Sequence, residues 1–315
     1  MRRRTTGTAD GLLAVDKPAG VSSHDVVLAA RRALGEKRIG HAGTLDPFAT
    51  GLLVMLVGRA TRLLPHLPGE PKVYEATIRF GAETDTEDLH GAVVREAPLP
   101  RRGALLAAIP TLTGRIAQVP PAYSAKRVEG RRAYDLARAG EEVALRPVEV
   151  RVDRWDVLAL TGEDGAPLAL AGTASHGAVP SADALVAEAR VRITCGGGTY
   201  VRSLARDLAR ACGSAAHLTA LRRLRSGAFT VDEAVTLQDL RDGTVTLRPA
   251  LDALAGFPRQ ALDPEEVTRL VRGIDVPARV DGAWGALTHP DSGVLVALAE
   301  RRADRWQPRV VMREA

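Results

Sequence analysis

Cysteine, lysine and aromatic residues are scarce in this chain of 315 residues. Cys195 and Cys212 are the only cysteines, and neither belongs to a Cys-x-x-Cys pair or to a Cys/His cluster with zinc spacing. This excludes a disulfide scaffold and a zinc domain, and it favours a reducing cytoplasm. No run of about 18 apolar residues occurs, and only residues 12–15 form an apolar run after the basic start, so neither a membrane span nor a signal peptide is expected.

The composition describes a globular protein with a mild positive charge. Hydrophobic residues make up 45% of the chain, and 43 basic against 38 acidic residues give a net charge of +5. This charge is compatible with a polyanionic partner. Only four of the basic residues are lysines, and abundant arginine reflects a GC-rich genome as easily as RNA binding. The length predicts one large domain with a small appendage.

Several motifs of common enzyme classes are missing. The chain has no Gly-x-Ser-x-Gly, P-loop or Gly-x-Gly-x-x-Gly sequence, which argues against a serine hydrolase and against nucleotide-binding folds. A zinc deaminase would carry His-x-Glu and Pro-Cys-x-x-Cys, and neither is present.

Hydrophobic periodicity predicts a mixture of strands and helices. Alternation of apolar and polar residues indicates strands at 73–80 and 187–195, and a short strand is expected at 11–16. Helices are predicted at about 24–34, with Ser23 as N-cap, and at about 200–211, ended by Gly213. Residues 161–184 are rich in Gly, Ala, Ser and Pro, and we interpret them as a mobile surface insertion between strands.

The sequence pattern changes after about residue 255. Asp263-Pro264-Glu265-Glu266 combines a capping carboxylate, proline at the first helical position and a capping-box glutamate. Strand-like segments follow near 276–280, 293–298 and 309–312. We therefore predict a large domain over 1–255 and a separate, small β-rich domain over 256–315.

The segment His41-Ala42-Gly43-Thr44-Leu45-Asp46-Pro47-Phe48-Ala49-Thr50-Gly51 places one carboxylate where a helix is disfavoured. Proline disfavours the α region for the residue before it, so Asp46 is expected to be extended on a shaped loop. The buried run at 52–57 would anchor that loop, which suits a catalytic carboxylate. A helix cap or an Asx-turn is the alternative explanation of Asp46.

The four tyrosines are Tyr74, Tyr123, Tyr134 and Tyr200. Three of them lie in segments with an unusual pattern of glycine or proline residues. Ordinary core packing with a hydrogen-bonded hydroxyl is the alternative for each of them. For Arg202 the alternative is a solvated helix face shared with Arg206 and Arg210.

The segment at 41–51 closely resembles the catalytic motif of the bacterial tRNA pseudouridine-55 synthase family, in the form of an actinobacterial-like member. Other blocks match the same family: Val15-Asp16-Lys17-Pro18-Ala19-Gly20-Val21-Ser22-Ser23, Lys72-Val73-Tyr74-Glu75-Ala76, Gln118-Val119-Pro120-Pro121-Ala122-Tyr123-Ser124-Ala125-Lys126 with Gly130-Arg131-Arg132-Ala133-Tyr134, and Gly198-Thr199-Tyr200-Val201-Arg202-Ser203-Leu204-Ala205. The resemblance covers about residues 11–230, and the last 60 residues weakly resemble a PUA domain.

The resemblance implies a role for each matched residue. Asp46 would be the catalytic carboxylate, Arg202 would pair with it, and Tyr74 would stack on the target base and accept its C5 proton. His41 would occupy the gap that the everted nucleotide leaves in the base stack. The remaining implied substrate-binding residues are Gly43, Thr44, Lys17, Tyr123, Lys126, Tyr200 and Leu221. On spacing alone, Leu221 is also explained as helix core together with Leu218 and Leu224.

The implied fold class is α+β, with a mixed, largely antiparallel sheet flanked by helices and loops and a small PUA-like C-terminal domain. The implied activity is isomerisation of the uridine at position 55 in the T loop of tRNA, without cofactor or metal. The partner would be the T-arm stem-loop, with no membrane and no obligate protein partner, and the protein would act as a cytoplasmic monomer. An RNA-binding or tRNA-folding protein, and a related synthase acting on rRNA or mRNA, remain as alternatives.

Overall fold

The computed structural model describes residues 10–124, 127–128, 131–132, 145–170 and 181–312. The helices are α1 (Ser23–Leu34), α2 (Arg102–Ala108), α3 (Val201–Ala211), α4 (Leu237–Asp242) and α5 (Pro264–Val271), with short 3-10 helices at Gly58–His66, Ile109–Leu112, Val231–Glu233 and Ala250–Leu254. The strands are β1 (Gly11–Lys17), β2 (Ile39–His41), β3 (Thr50–Val57), β4 (Lys72–Phe80), β5 (Ala82–Thr84), β6 (Val93–Glu96), β7 (Gly114–Gln118), β8 (Arg127–Val128), β9 (Arg131–Arg132), β10 (Val148–Gly162), β11 (Pro167–Leu168), β12 (Val186–Cys195), β13 (Ala216–Ser226), β14 (Phe229–Thr230), β15 (Val235–Thr236), β16 (Arg259–Ala261), β17 (Val276–Pro277), β18 (Trp284–Thr288), β19 (Leu295–Arg302) and β20 (Arg305–Val311). The chain divides into two compact units, Met1–Gly69 with Ser226–Ala315 and Glu70–Arg225.

In the first unit, β3 is a continuous apolar run because both of its faces are buried. It pairs antiparallel with β1 and β2, and β15 adds to β1 in parallel. Leu53 and Met55 pack with helices α1 and α4 on one face, whereas Leu52 and Val54 contribute to a cluster on the other. This burial on both faces explains the absence of polar alternation in the strand. It also fixes the end of the loop that carries Asp46.

The C-terminal part of the first unit is a five-stranded sheet in the order β16-β18-β19-β20-β17, with helix α5 against it. Helix α5 begins as its sequence predicts, because Asp263 caps it and Glu266 completes the capping box. Trp306 is fully buried in the apolar cluster between this sheet and helix α5, and its indole Nε1 donates to Gln260 at 2.8 Å. The predicted small β-rich C-terminal fold is confirmed.

The C-terminal strands share a core with the N-terminal ones. Leu298, Val310 and Met312 belong to the same buried cluster as Leu12 and Leu52. Residues 256–312 thus complete a core begun at the start of the described chain, inside one compact unit. The domain boundary at 255/256 stays a prediction.

The second unit is built on an antiparallel sheet. Strand β12 lies between β4 and β10. Strand β10 also pairs with β7 and β11, and β13 lies on the other side of β4. Tyr74 and Ile78 of β4 are buried while Arg79 is exposed, as the predicted alternation requires. The predicted α+β class with a mixed, largely antiparallel sheet is confirmed.

Three local predictions need correction. The N-cap of α1 is Ser22, not Ser23, because the Ser22 side chain accepts from Asp25 N and Asp25 closes the capping box. Leu221 and its neighbours form strand β13 instead of helix core, because this segment pairs with β4. Residues 161–168 belong to the β10–β11 hairpin, in which Leu160 lies opposite Leu168. The rest of the predicted insertion includes residues 171–180, which lie outside the described residues.

Among the described residues, no helix has the length and apolar character needed to cross a membrane.

Candidate active site

Asp46 lies in the loop between β2 and β3 of the first unit. Gly43 has φ +95, a conformation that glycine adopts without strain, and it allows the chain to bend ahead of the carboxylate. After Asp46 the chain turns, because the Asp46 carbonyl accepts from Ala49 N at 3.1 Å. Leu45 and Phe48 are buried while Asp46 itself is partly exposed. The loop therefore holds a carboxylate at its surface through apolar side chains on either side.

Lys17 is a buried cation beneath this loop. Its side chain is 0% exposed, and Nζ donates to the carbonyls of Pro18 at 2.9 Å, Val21 at 2.7 Å and Pro47 at 3.2 Å. The Pro47 carbonyl also accepts from Gly20 N at 2.8 Å. Lys17 thus connects the turn after β1 to the residue that follows Asp46. This geometry supports a positioning role, and substrate contact by Lys17 stays a prediction.

Helix α1 supplies a second anchor for the loop. The Ser23 hydroxyl donates to Leu45 O at 3.0 Å and accepts from Leu45 N at 2.9 Å, next to Asp46 in the sequence. His41 ends β2 opposite Met55 and is half-buried, and Thr44 is exposed. The implied substrate-binding residues His41, Gly43 and Thr44 therefore lie at the start of a loop that Lys17 and Ser23 anchor.

In the second unit, Tyr74 and Leu221 lie on neighbouring strands. Tyr74 sits on β4 opposite Ile193, Leu221 sits on β13, and each is 7% exposed. Lys72 lies two residues before Tyr74, and burial together with the nearby charge of Arg223 lowers its pKa. Tyr74 is thus a buried residue on a strand that also carries a partly buried cation.

Tyr200 is the N-cap residue of α3, and its main chain is held by one buried amide. Gln118, at the end of β7, donates through Nε2 to Tyr200 O at 3.1 Å and accepts from Tyr200 N at 2.8 Å. Gln118 is 0% exposed. This two-way clamp fixes the start of the helix that carries Arg202.

Arg202 is buried in the first turn of α3 and binds two carbonyls. Nη1 donates to Thr86 O at 2.7 Å, and Nη2 donates to Tyr123 O at 2.9 Å. Asp88 Oδ2 lies 3.9 Å from Nη1. The solvated helix face that was the alternative for Arg202 is wrong, because only 3% of the residue is exposed.

Two further arginines continue the row along α3. Arg206 pairs with Glu87 and donates to Val119 O at 2.8 Å, and Arg210 Nη2 donates to Glu83 at 2.7 Å. Because the three arginines are spaced by four residues, they lie on one face of the helix. This face binds the segment 83–88, which we call the acidic loop.

The pKa values of the two glutamates in the acidic loop are shifted in opposite directions. Burial raises the pKa of Glu87, against the attraction of Arg206 and the Ser203 hydroxyl. Burial also acts to raise the pKa of Glu83, but the hydrogen bond and charge of Arg210, with the charge of Arg95, outweigh it and lower the pKa. Burial therefore decides the direction of the pKa shift at Glu87, whereas the arginine partners decide it at Glu83.

The sequence reasoning missed the acidic loop and Gln118. Glu83 and Glu87 share the four-residue spacing of Arg206 and Arg210, and that complementarity was the available signal. Lys126 and Tyr134 lie outside the described residues. Within the described ranges, no group of three or more His, Cys, Asp or Glu side chains is placed to hold a metal ion.

Each unit, taken by itself, carries side chains suited to chemistry. The first presents a carboxylate on a fixed loop, which can act on an electron-poor carbon or accept a proton. The second presents an aromatic ring and, on helix α3, a guanidinium whose orientation is set by main-chain carbonyls. Such a guanidinium favours an ionised carboxylate when the two are paired.

Comparisons with known proteins agree with one another. A family model described as the TruB family pseudouridylate synthase N-terminal domain matches residues 31–201, and one described as the tRNA pseudouridylate synthase B C-terminal domain matches residues 202–267. The tRNA pseudouridine synthase B of Thermobifida fusca is 46% identical over 307 residues, which cover 96% of this chain and 98% of that protein. The protein of the same name from Mycobacteroides abscessus is 43% identical, with 97% of each chain covered.

Solved structures share the fold. The chain matches a Cbf5-Nop10-Gar1 complex with a TM-score of 0.65 and 23% identity, covering 96% of this chain and 85% of that one. An H/ACA RNP bound to a substrate RNA containing 2'-deoxyuridine gives the same TM-score and coverage at 22% identity. At these identities the likeness extends to the fold alone.

Proposed function

The chain belongs to the TruB family of pseudouridylate synthases, and on that premise we propose that it isomerises the uridine at position 55 in the T loop of tRNA to pseudouridine. The chain matches relatives named tRNA pseudouridine synthase B over nearly its whole length. The observation that carries the proposal is Asp46, a partly exposed carboxylate on a loop anchored by Lys17 and Ser23. This Asp46 stands in the segment that matches the family's catalytic motif.

The reaction balances without any external reagent. The bond between ribose C1′ and uracil N1 breaks, the uracil turns, C1′ joins C5, and the proton displaced from C5 is replaced by one on N1. Positive charge develops at C1′ as in retaining glycoside hydrolysis, so a carboxylate is the group required there. Asp46 fills this role either by attack on C1′ or by removal of a C2′ proton. No cofactor enters either route.

The other site residues are proposed to serve the same step. Arg202 pairs with Asp46 and keeps it ionised, because a guanidinium beside a carboxylate favours the charged form. Tyr74 stacks on the detached uracil and accepts the C5 proton. His41 fills the space left by the everted nucleotide. Gly43, Thr44, Tyr123, Lys126, Tyr200 and Leu221 are proposed to contact the substrate, and Lys17 is proposed to hold the catalytic loop.

The proposed substrate is the T-arm stem-loop, recognised mainly by its shape. Phosphate contacts by arginines would make the affinity fall with salt. We propose that residues 256–315 form an RNA-binding domain after the catalytic domain over 1–255. We also propose that the protein works as a monomer in the cytoplasm, where its substrate resides.

The test is the variant Asp46→Asn with a tRNA transcript tritiated at uridine C5. We expect wild type to release tritium from position 55 and the variant to release none, because an amide replaces the reacting carboxylate at nearly the same shape. T-arm affinity should change less than about threefold, since only one charge is altered. Asp183→Asn, at a surface residue, is the control and should match wild type.

Turnover by Asp46→Asn would remove Asp46 from its proposed role. Binding of tRNA by wild type with no tritium release would instead favour the RNA-folding alternative. Release from rRNA or mRNA transcripts, but not from tRNA, would identify a related synthase.

A further inference from the structure

The orientation of Arg202 is set by the acidic loop. Thr86 O accepts from Arg202 Nη1 at 2.7 Å, and the next residue in the loop is Glu87. A guanidinium is planar, so a shift of one acceptor carbonyl rotates the whole donor fork. Whatever fixes Thr86 and Glu87 therefore fixes the direction in which Arg202 points.

Glu87 occupies a conformation that its surroundings must enforce. Its φ is +61, in the left-handed region that costs a non-glycine residue about 1 kcal/mol. The residue is 8% exposed, and its carbonyl accepts from Leu218 N at 3.1 Å. Its carboxylate accepts from Ser203 Oγ at 3.0 Å and from Arg206 Nη1. The side chain is thus bound to α3 one turn after Arg202.

Arg206 connects the same carboxylate to a second segment. Its Nη2 donates to Val119 O at 2.8 Å, while Arg202 Nη2 donates to Tyr123 O at 2.9 Å. Both acceptor carbonyls of Arg202 therefore lie in segments that Arg206 also holds. Arg206 pairs with two carboxylates, Asp207 on its own helix and Glu87 in the acidic loop, so Glu87 is the partner that ties Arg206 to that loop.

We propose that Glu87 is a positioning residue for the isomerisation, which orients the Arg202 guanidinium by fixing the Thr86 carbonyl and Arg206. The proposal rests on the function proposed above, in which Arg202 serves the catalytic carboxylate. Glu87 itself touches neither the substrate nor the reacting atoms.

The chain contains a matched control in the same loop. Glu83 is also buried and also pairs with an arginine of α3, but its partner is Arg210, two turns from Arg202. A second arginine, Arg95, pairs with Glu83 at 2.7 Å. A role limited to fastening the acidic loop would be shared by both glutamates. Of these two glutamates, only Glu87 is placed to orient Arg202.

The experiment compares Glu87→Gln with Glu83→Gln in the full chain. Single-turnover pseudouridine formation, tRNA affinity and thermal unfolding are measured for both variants. We expect Glu87→Gln to lower the single-turnover rate about 10- to 100-fold with affinity within about twofold, because small misplacements of a catalytic group have costs of this size. Glu83→Gln should stay within about threefold of the wild-type rate.

A double variant separates positioning from a direct effect. Arg202→Lys loses the fork that Glu87 is proposed to orient, so adding Glu87→Gln to it should lower the rate less than about threefold further. A second full loss in that background would overturn the proposal. Equal rates for Glu87→Gln and Glu83→Gln would overturn it as well.

Ser203→Ala decides the matter if Glu87→Gln does not fold. It removes the hydroxyl that Glu87 accepts from and leaves the ion pair with Arg206. A rate at least about threefold below wild type, with unchanged thermal unfolding, supports the proposal, and an unchanged rate overturns it. Absence of turnover by wild type would count against the proposed function, not against the role of Glu87.

Discussion

Lys17 carries its charge entirely inside the protein, where a bare ammonium would be costly. The cost is offset because its donors bind the carbonyls of Pro18, Val21 and Pro47. An RNA phosphate would need this cation at the surface. The resemblance implies substrate binding by Lys17, and its burial supports the proposal that it holds the Asp46 loop.

Lys17→Met tests this assignment. Methionine keeps much of the volume but leaves buried carbonyls without their charged donor, so the free energy of unfolding should fall by about 3 kcal/mol. The rate of tRNA modification by the folded variant should fall too, because the loop beside Asp46 loosens. Urea unfolding and single-turnover assays measure the two effects.

Lys37→Met is the matched control, since Lys37 is exposed. It should change stability by less than about 0.5 kcal/mol, as expected of a surface substitution. If Lys17→Met weakened tRNA binding while stability stayed at the wild-type value, Lys17 would be a substrate contact after all.

At the scale of single elements, the ion pairs within the second unit lie in unequal environments, and helix α3 takes part in the more buried ones. Glu83 is buried against Arg210 and Arg95, whereas Glu149 meets Arg115 at a surface where its side chain is 67% exposed. Surface pairs contribute little, and pairs with one buried partner contribute more. The acidic loop should therefore hold α3 in a way that depends on pH.

The lowered pKa of Glu83 fixes the sign of that dependence. A carboxyl whose folded-state pKa lies below its usual value of 4.5 adds stability above that value and loses it as the pH falls through the folded-state pKa. Glu83→Gln should thus cost about 1–2 kcal/mol at pH 7. Its difference from wild type should shrink from about pH 4.5 downward. Urea unfolding at a series of pH values measures this.

Glu149→Gln is the control and should show no such trend. A difference between wild type and Glu83→Gln that stayed constant with pH would show that the carboxylate's charge contributes nothing.

Local signals predict structure well at this scale, and pairings distant in sequence escape prediction. Helix α5 is predicted from four residues, because a capping box is complete within one turn. Leu218, Leu221 and Leu224 are spaced as on a helix, and only the neighbouring strand β4 makes their segment a strand. The pairing of Glu87 with Arg206 spans 119 positions, and the matching spacing of the two glutamates and the two arginines does not by itself say which residues pair.

The residues of the candidate site also fall into two groups, those that a local sequence pattern reveals and those that only the fold reveals. Asp46 stands out because a proline and a glycine shape its loop locally, and its role comes from resemblance. The positioning role proposed for Lys17 depends on carbonyls of three other residues, whose directions exist only in the folded chain. Sequence reasoning therefore locates reactive groups more readily than the groups that orient them.

At the scale of the whole molecule, the proposed RNA-binding domain over 256–315 also contributes, through its described residues, to a core. Leu298, Val310 and Met312 pack in the cluster of Leu12 and Leu52, and the rings of His66 and Trp284 lie 4.9 Å apart. Arg59 Nη1 donates to Met312 O at 3.1 Å. Deleting this segment would expose buried faces of β1 and β3.

We therefore expect the chain cut after residue 255 to lose cooperative thermal unfolding or to be insoluble, because several large apolar side chains leave the core at once, each worth about 2–5 kcal/mol. A truncated chain that unfolded at the wild-type temperature would contradict this. Because truncation disturbs the fold, the RNA-binding role of this segment has to be tested with surface variants of the full chain.

Arg272→Ala combined with Arg302→Ala is such a variant, since both residues are exposed, and it should leave thermal unfolding unchanged. If these arginines bind phosphates, tRNA affinity should fall, because each phosphate that is no longer neutralised keeps its counterions. The slope of log affinity against log salt concentration should then become shallower by about one for each arginine–phosphate pair removed. Titrations of tRNA at several salt concentrations measure both quantities, and an unchanged affinity and slope would place the RNA elsewhere on the protein.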